Sequence, residues 1–344
     1  MGRSLAEWLV RWRWLLVVLA FAFVAFAASG LRYYGFSNDY RIFFSAENPQ
    51  LLAFENLQNT YTKADNVLFV IAPADGKVFT PQTLEAVEWL TEQAWQIPYS
   101  IRVDSLSNFQ HTYAEGDDLI VEDLVMDAAQ LSPAELEKIR TVAIQEPLLV
   151  NRIVSPAGHV TAVNVIIQLP GIAPAAEVPG VVGFSRDLAR QLTERYPQLE
   201  VHLTGIVLLN NAFTEQSIKD LLTLVPVMFG IISLILAFLL RSLWGTLATL
   251  LVITMSIITA IGMAFWLGIT LTPPTIASPT MIMTLAVANC VHLLVTFLQG
   301  MRRGGSKHAA MNESLRINLQ PILITSLTTA IGFMSMNFSD APPF

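Results

Sequence analysis

LLTLVPVMFGIISLILAFLL, residues 221–240, runs twenty positions without a charged side chain. A globular core seldom needs an apolar run longer than about 18 residues, whereas a helix needs about 20 residues to cross the roughly 30 Å of a bilayer's hydrocarbon. The run therefore reads as a membrane-spanning helix. Four further segments read the same way: 14–29, 243–271, 276–298 and 321–337. Composition agrees with five spans. The chain is 53% hydrophobic and 14% charged, against roughly 25% charged in ordinary soluble domains.

The run at 14–29 has two readings. Arg3, Arg11 and Arg13 precede it and Ala27-Ala28-Ser29 resembles a cleavage site, as in a secretory signal. Its length and the four later spans favour an uncleaved anchor.

Charge sets the expected orientation. Residues 31–220 hold 12 Lys and Arg against 24 Asp and Glu, a net −12. The eight basic residues elsewhere fall in the N-terminal tail, at Arg241 and within 302–316. Threading five spans from a cytoplasmic N-terminus puts all eight inside, as the positive-inside rule asks. The sequence thus divides into a cytoplasmic tail with the first helix (1–30), an extracytoplasmic domain (31–220) and helices two to five (221–344). Asp340 then lies outside. The single cysteine, Cys290, lies in the fourth span, so no disulfide staples the external domain.

Within 31–220 the pattern turns to short strands and amphipathic helices. Residues 67–72 read as a buried strand, 81–96 as a helix capped by Thr80 with Pro81 at its first position, and 101–106 as a second strand parallel to and beside the first. The acidic stretch 115–127 reads as a solvated loop. Ser132-Pro133 with Glu135 is a capping box. A hairpin is expected from 148–154 and 160–169, joined by Ser155-Pro156-Ala157-Gly158. A helix over 182–196 and a strand over 200–204 follow, and from Val207 the pattern is helical up to Arg241. Strand-helix-strand followed by strand-strand-helix-strand is close to a split βαβ, ferredoxin-like α/β sandwich. The fold class expected is thus an α-helical membrane protein with an extracytoplasmic α/β domain.

Coupling a transporter to an ion gradient takes a group at membrane depth that changes charge or ligates an ion. None of the five predicted spans contains Asp or Glu. The most polar central stretch is LAVANCVHLL, 285–294, where Asn289 and His292 stand three apart and share one helix face. Imidazole titrates near neutrality, which suits a proton path. Thr325 and Thr329, four apart on the next span, are the expected partners across the pocket. Against this stands plain packing: polar side chains in lipid bond to neighbouring helices wherever they occur. The hydroxyl-rich faces of the third and fifth spans, including Thr254, Ser256, Thr259 and Gly262, suit close helix approach.

No metal-spaced His and Cys cluster, nucleophile elbow or phosphate-cradling glycine loop is present, which argues against an enzyme and implies no cofactor. The acidic exposed domain argues against nucleic-acid binding.

Two runs carry a family resemblance: VHLTG (201–205), leading a long helix into the membrane, and QPILITSLTTAIGF (320–333). With the order of one span, a large domain and a packed set of spans, the whole chain resembles the N-terminal half of an RND-superfamily transporter of the MMPL-like exporter branch. Sterol-sensing-domain proteins are related. The resemblance implies a ferredoxin-like porter domain and export of a lipid or other hydrophobic substrate driven by the proton gradient. Membrane lipids, such a substrate, and a second copy or a periplasmic protein are the partners it implies. It also implies twelve spans in two halves, so the five-span chain ending at Phe344 is expected to be part of a protein about twice as long. Exporters of this branch commonly carry an Asp, often followed by Tyr, where Asn289 and Cys290 stand here. Either His292 replaces that carrier, or the other half supplies it, or coupling is absent. In the last case a sterol-sensing-like receptor or a membrane-assembly factor is the alternative.

Overall fold

The computed structural model describes residues 2–36, 41, 44, 45, 47–61, 65–272 and 275–338. Asp340 and residues 341–344, read above as the outer end of the chain, lie outside them. Two compact units form, one of residues 52–212 and one of 1–51 with 213–344.

Along the chain come α1 (Gly2–Arg11), α2 (Arg13–Ala28) and α3 (Pro49–Thr60). Then follow β1 (Asn66–Pro73), α4 (Pro81–Ala94), β2 (Ser100–Asp104), β3 (Gln110–Glu115), β4 (Asp118–Asp123) and α5 (Pro133–Gln145). After β5 (Thr161–Ile167), α6 (Pro174–Arg195) and β6 (Leu199–Thr204) stand four long helices. These are α7 (Ile206–Leu240), α8 (Leu243–Trp266), α9 (Ser278–Arg302) and α10 (Lys307–Ser335).

In the unit of residues 52–212 a four-stranded sheet runs β2-β5-β1-β6 with every neighbouring pair antiparallel. Alternation decides which face is buried. Val67, Phe69 and Ile71 of β1 are fully buried while their neighbours are only partly so, as a strand's two-residue period requires. Leu84, Val87 and Leu90 of α4 and Val181, Leu188 and Leu192 of α6 join them in one core. Each such side chain contributes about 1.5–3 kcal/mol on burial. Local signals start the helices where expected. The Thr80 hydroxyl accepts from the Thr83 N–H at 3.3 Å. At α5 the capping box closes, with Ser132 N–H donating to Glu135 at 2.7 Å.

Three sequence expectations need correction. First, β1 and β2 point the same way but are not neighbours, because β5 lies between them. β5 is buried at nearly every position, as a central strand is, whereas Ile101 and Arg102 of β2 are exposed, as on an edge. Second, residues 148–154 form no strand. Asn151 has φ +62° and the Ile153 and Val154 N–H groups both donate to the Leu149 carbonyl, at 2.8 and 3.0 Å. The run coils instead, and so buries Leu149, Ile153 and Val154 together. Third, the acidic stretch is not a loop. β3 and β4 pair from Gln110↔Asp123 to Glu115↔Asp118 around Gly116, which has φ +64°. The hairpin's exposed edges let its carboxylates stay in water.

In the other unit, five helices among the described residues are long and apolar enough to cross a membrane: Arg13–Tyr33, Ile206–Leu240, Leu243–Trp266, Thr275–Arg302 and Lys307–Ser335. The chain is a multi-pass membrane protein. α2 packs on α8, α8 on α9, α9 on α10 and α10 on α1. The α2–α8 approach depends on glycine: a Cβ on Gly30 would lie 2.1 Å from the Gly262 carbonyl oxygen, and one on Gly262 2.1 Å from that of Ala27. Small residues admit such backbone contact in membranes. At the same end the Trp266 ring stacks on Phe26 at 5.5 Å and its Nε1–H donates to Ser29 Oγ at 3.2 Å. The third span ends at Trp266, not 271, because Gly268 at φ +74° turns the chain out of the helix. The fifth begins fourteen residues before Pro321, at Lys307, as one helix.

Candidate functional site

α9 and α10 run as an antiparallel pair held by side-chain bonds. Ser314 Oγ donates to the Leu293 carbonyl at 2.6 Å, and Asn318 Nδ2 donates to Thr296 Oγ1 at 2.9 Å. Near the connection the backbones almost touch, a Cβ on Gly300 lying 3.0 Å from that of Ala310. Further along the seam the helices part, and a cavity of about 120 Å³ opens.

Its lining brings together Asn289, His292 and Ala288 from α9 with Asn318, Ile322 and Thr325 from α10. Asn289 stands one residue before the midpoint of the 25-residue α9, and His292 lies about 4.5 Å farther along the axis. Three of the four residues singled out from the sequence therefore meet. Thr329 is half-buried and does not line the cavity. The Thr325 hydroxyl donates to the Pro321 carbonyl at 2.8 Å, so its lone pairs remain to accept from a water or an imidazole N–H.

Asn318 is the member that sequence reasoning missed. It precedes the segment read as the fifth span, yet 318, 322 and 325 recur at helical spacing and lie on one face. A polar side chain seven residues before Thr325 was the available signal. Asn289 is half-buried and His292 is exposed at the mouth of the cavity. Chemically, one imidazole can take or give a proton, while two amides and a hydroxyl orient water around it. The cavity holds room for several waters. Among the described residues no group of three or more His, Cys, Asp or Glu is placed to hold a metal ion.

A second cavity, of about 630 Å³, lies in the unit of residues 52–212. Leu68, Phe109, Leu149 and Ile153 supply apolar wall, and Arg102 and Arg152 supply positive charge. Arg102 pairs with Asp104 at 2.7 Å. Across its strands Asn66 Nδ2 donates to Asn164 Oδ1 at 2.7 Å.

The model of the MMPL family matches residues 61–344. No curated protein matches the chain. Among solved structures, a heavy metal efflux pump is similar over 93% of this chain at 10% identity, with a TM-score of 0.42. The chain spans 42% of that pump's length.

Proposed function

The chain belongs to the MMPL family, and we propose that it is an RND-type transporter that exports a lipid or other hydrophobic molecule using the proton gradient. In this reading residues 31–220 face the extracytoplasmic side of a bacterial inner membrane. The strand order β2-β5-β1-β6, with α4 and α6 as crossovers, supports a ferredoxin-like porter domain. The cavity beside Phe109 and Leu149 supports a shelter for apolar cargo.

The observation that carries the coupling reading is the cavity joining Asn289, His292, Asn318 and Thr325 at membrane depth. Its one titratable member is His292. An exposed imidazole there has no place against hydrocarbon, since an unsatisfied polar group in lipid costs several kcal/mol. A water-filled or protein-lined seam is the setting it requires, and a water-filled one supports the reading of a proton path.

The test replaces His292 by Phe in the complete protein, reconstituted in vesicles. Transfer of a fluorescent lipid to an acceptor is followed with and without an imposed pH gradient. Wild type should transfer faster with the gradient, and His292→Phe should lose that difference while reaching the membrane in normal amount. Gradient-dependent transfer at the original rate in the variant would make His292 structural. If wild type itself ignores the gradient, Asn289 in place of an ionisable group favours the non-transporting, sterol-sensing-like reading.

A further inference from the structure

We propose that the basic end of the helical unit holds an anionic phospholipid, its phosphate against Arg13 and Lys307 and its acyl chains along the groove between α1 and α10. The proposal rests on the membrane reading and the proposed orientation of the chain, and not on transport or on His292.

The groove has a volume of about 460 Å³. At its polar end three nitrogen-bearing side chains converge. Arg13 and Lys307 are cations, and Arg13 Nη1 lies 3.5 Å from His308 Nε2. None of its lining residues is acidic. Two cations facing one space with no lining carboxylate leave a charge that an anion would complement. Its other wall is apolar: Leu9, Trp14, Phe297 and Met311. Inorganic phosphate would use only the polar end and leave that wall in water, whereas a diacyl phosphodiester matches both.

Position agrees with chemistry. α2 begins at Arg13, so Trp14 sits in the first turn of a span, where indole rings occupy the headgroup level. Trp14 is 72% exposed, with the Arg13 guanidinium 6.0 Å from its ring centre. α1 packs along α10 and presents Leu5, Trp8 and Leu9 as well as Glu7 and Arg11, the mixture of an interfacial helix. Arg241, Arg302 and Arg303 mark the same end of the bundle, and the Arg302 guanidinium donates to the Leu240 carbonyl at 2.9 Å. That end faces the cytoplasmic leaflet in the proposed orientation, and that leaflet carries the anionic lipid.

Native mass spectrometry of the full chain, loaded with phosphatidylglycerol or phosphatidylcholine of matched acyl chains, tests the site. Wild type should retain one phosphatidylglycerol in preference to phosphatidylcholine. Arg13→Gln and Lys307→Gln should each weaken that retention about fivefold. Arg303→Gln, which removes an exposed cation outside the groove, should leave it unchanged. Met311→Trp fills the apolar wall without touching charge and should also reduce retention. Equal loss with Arg303→Gln would reduce the effect to general surface charge and overturn the proposal. Displacement of the lipid by an equal concentration of glycerol 3-phosphate would overturn it too, since that ligand has the phosphate and no chains.

Discussion

At Glu177 one carboxylate accepts from the backbone N–H groups of Gly171, Ile172 and Ala173, at 2.9, 2.9 and 2.8 Å, and so closes the loop that enters α6. The Ala173 N–H bond does most to hold this carboxyl below its ordinary value, the Gly171 and Ile172 bonds add to it, and partial removal from water opposes them. The sign follows from linkage. A depressed folded-state pKa adds stability that is fully present above the unfolded value and is lost as pH falls through the folded one. Glu177→Gln should therefore lower the thermal midpoint of the chain at neutral pH, and the gap to wild type should close below the ordinary carboxylate range. A gap of constant size down to pH 3 would contradict this. Residues of this kind were partly legible in the sequence. Ser132 with Glu135 announced itself by spacing, because a capping box is local. Glu177 did not, because Pro179 lies inside the helix it opens and disguised the start at Pro174. Asn289, His292 and Thr325 were legible as rare polar groups in apolar runs. Asn318 was hidden because it precedes the run, and the helix that carries it into the cavity extends beyond the hydrophobic stretch.

Elements were legible where a local period or cap defined them, and lost where tertiary partners decided. β1 showed its alternation, and α4 its cap and proline. The strand order was not local: β5 separates β1 from β2 because its near-continuous apolar character suits the middle of the sheet, and two-strand reasoning cannot see a third strand. The coil at 149–154 and the β3–β4 hairpin were missed for opposite reasons. Apolar residues suggested a strand where a turn buries them better, and carboxylates suggested a loop where a solvated hairpin tolerates them. The junction of β6 with α7 gives a test at this scale. Gly205 has φ +114°, and a Cβ there would lie 2.4 Å from the Asn66 carbonyl oxygen, while the Ile206 N–H donates to Asn66 Oδ1 at 3.2 Å. Gly205→Ala should thus cost at least about 2 kcal/mol, read as a lowered melting midpoint in detergent. An unchanged midpoint would mean that this junction tolerates a side chain.

For the whole molecule, hydropathy carried most of the information, because a bilayer imposes length and polarity on every span at once. All five spans were legible, with ends that shifted where a cap such as Gly268 or a polar helical extension such as 307–320 intervened. Export in the proposed direction requires the net negative segment 31–220 to lie outside the cytoplasm. Gly76 and Gly158 are poor labelling sites, since both have φ near +67° and a Cβ at Gly158 would press on Phe79 at 3.0 Å. Lys77 and Asp117 are exposed and serve better. The decisive measurement is the reaction of Lys77→Cys and Asp117→Cys, each with Cys290 replaced by Ser, with a membrane-impermeant thiol reagent. Both cysteines should label fully in cells whose outer barrier is permeable and whose inner membrane is intact; labelling only after the inner membrane is broken would contradict the orientation and the export function built on it.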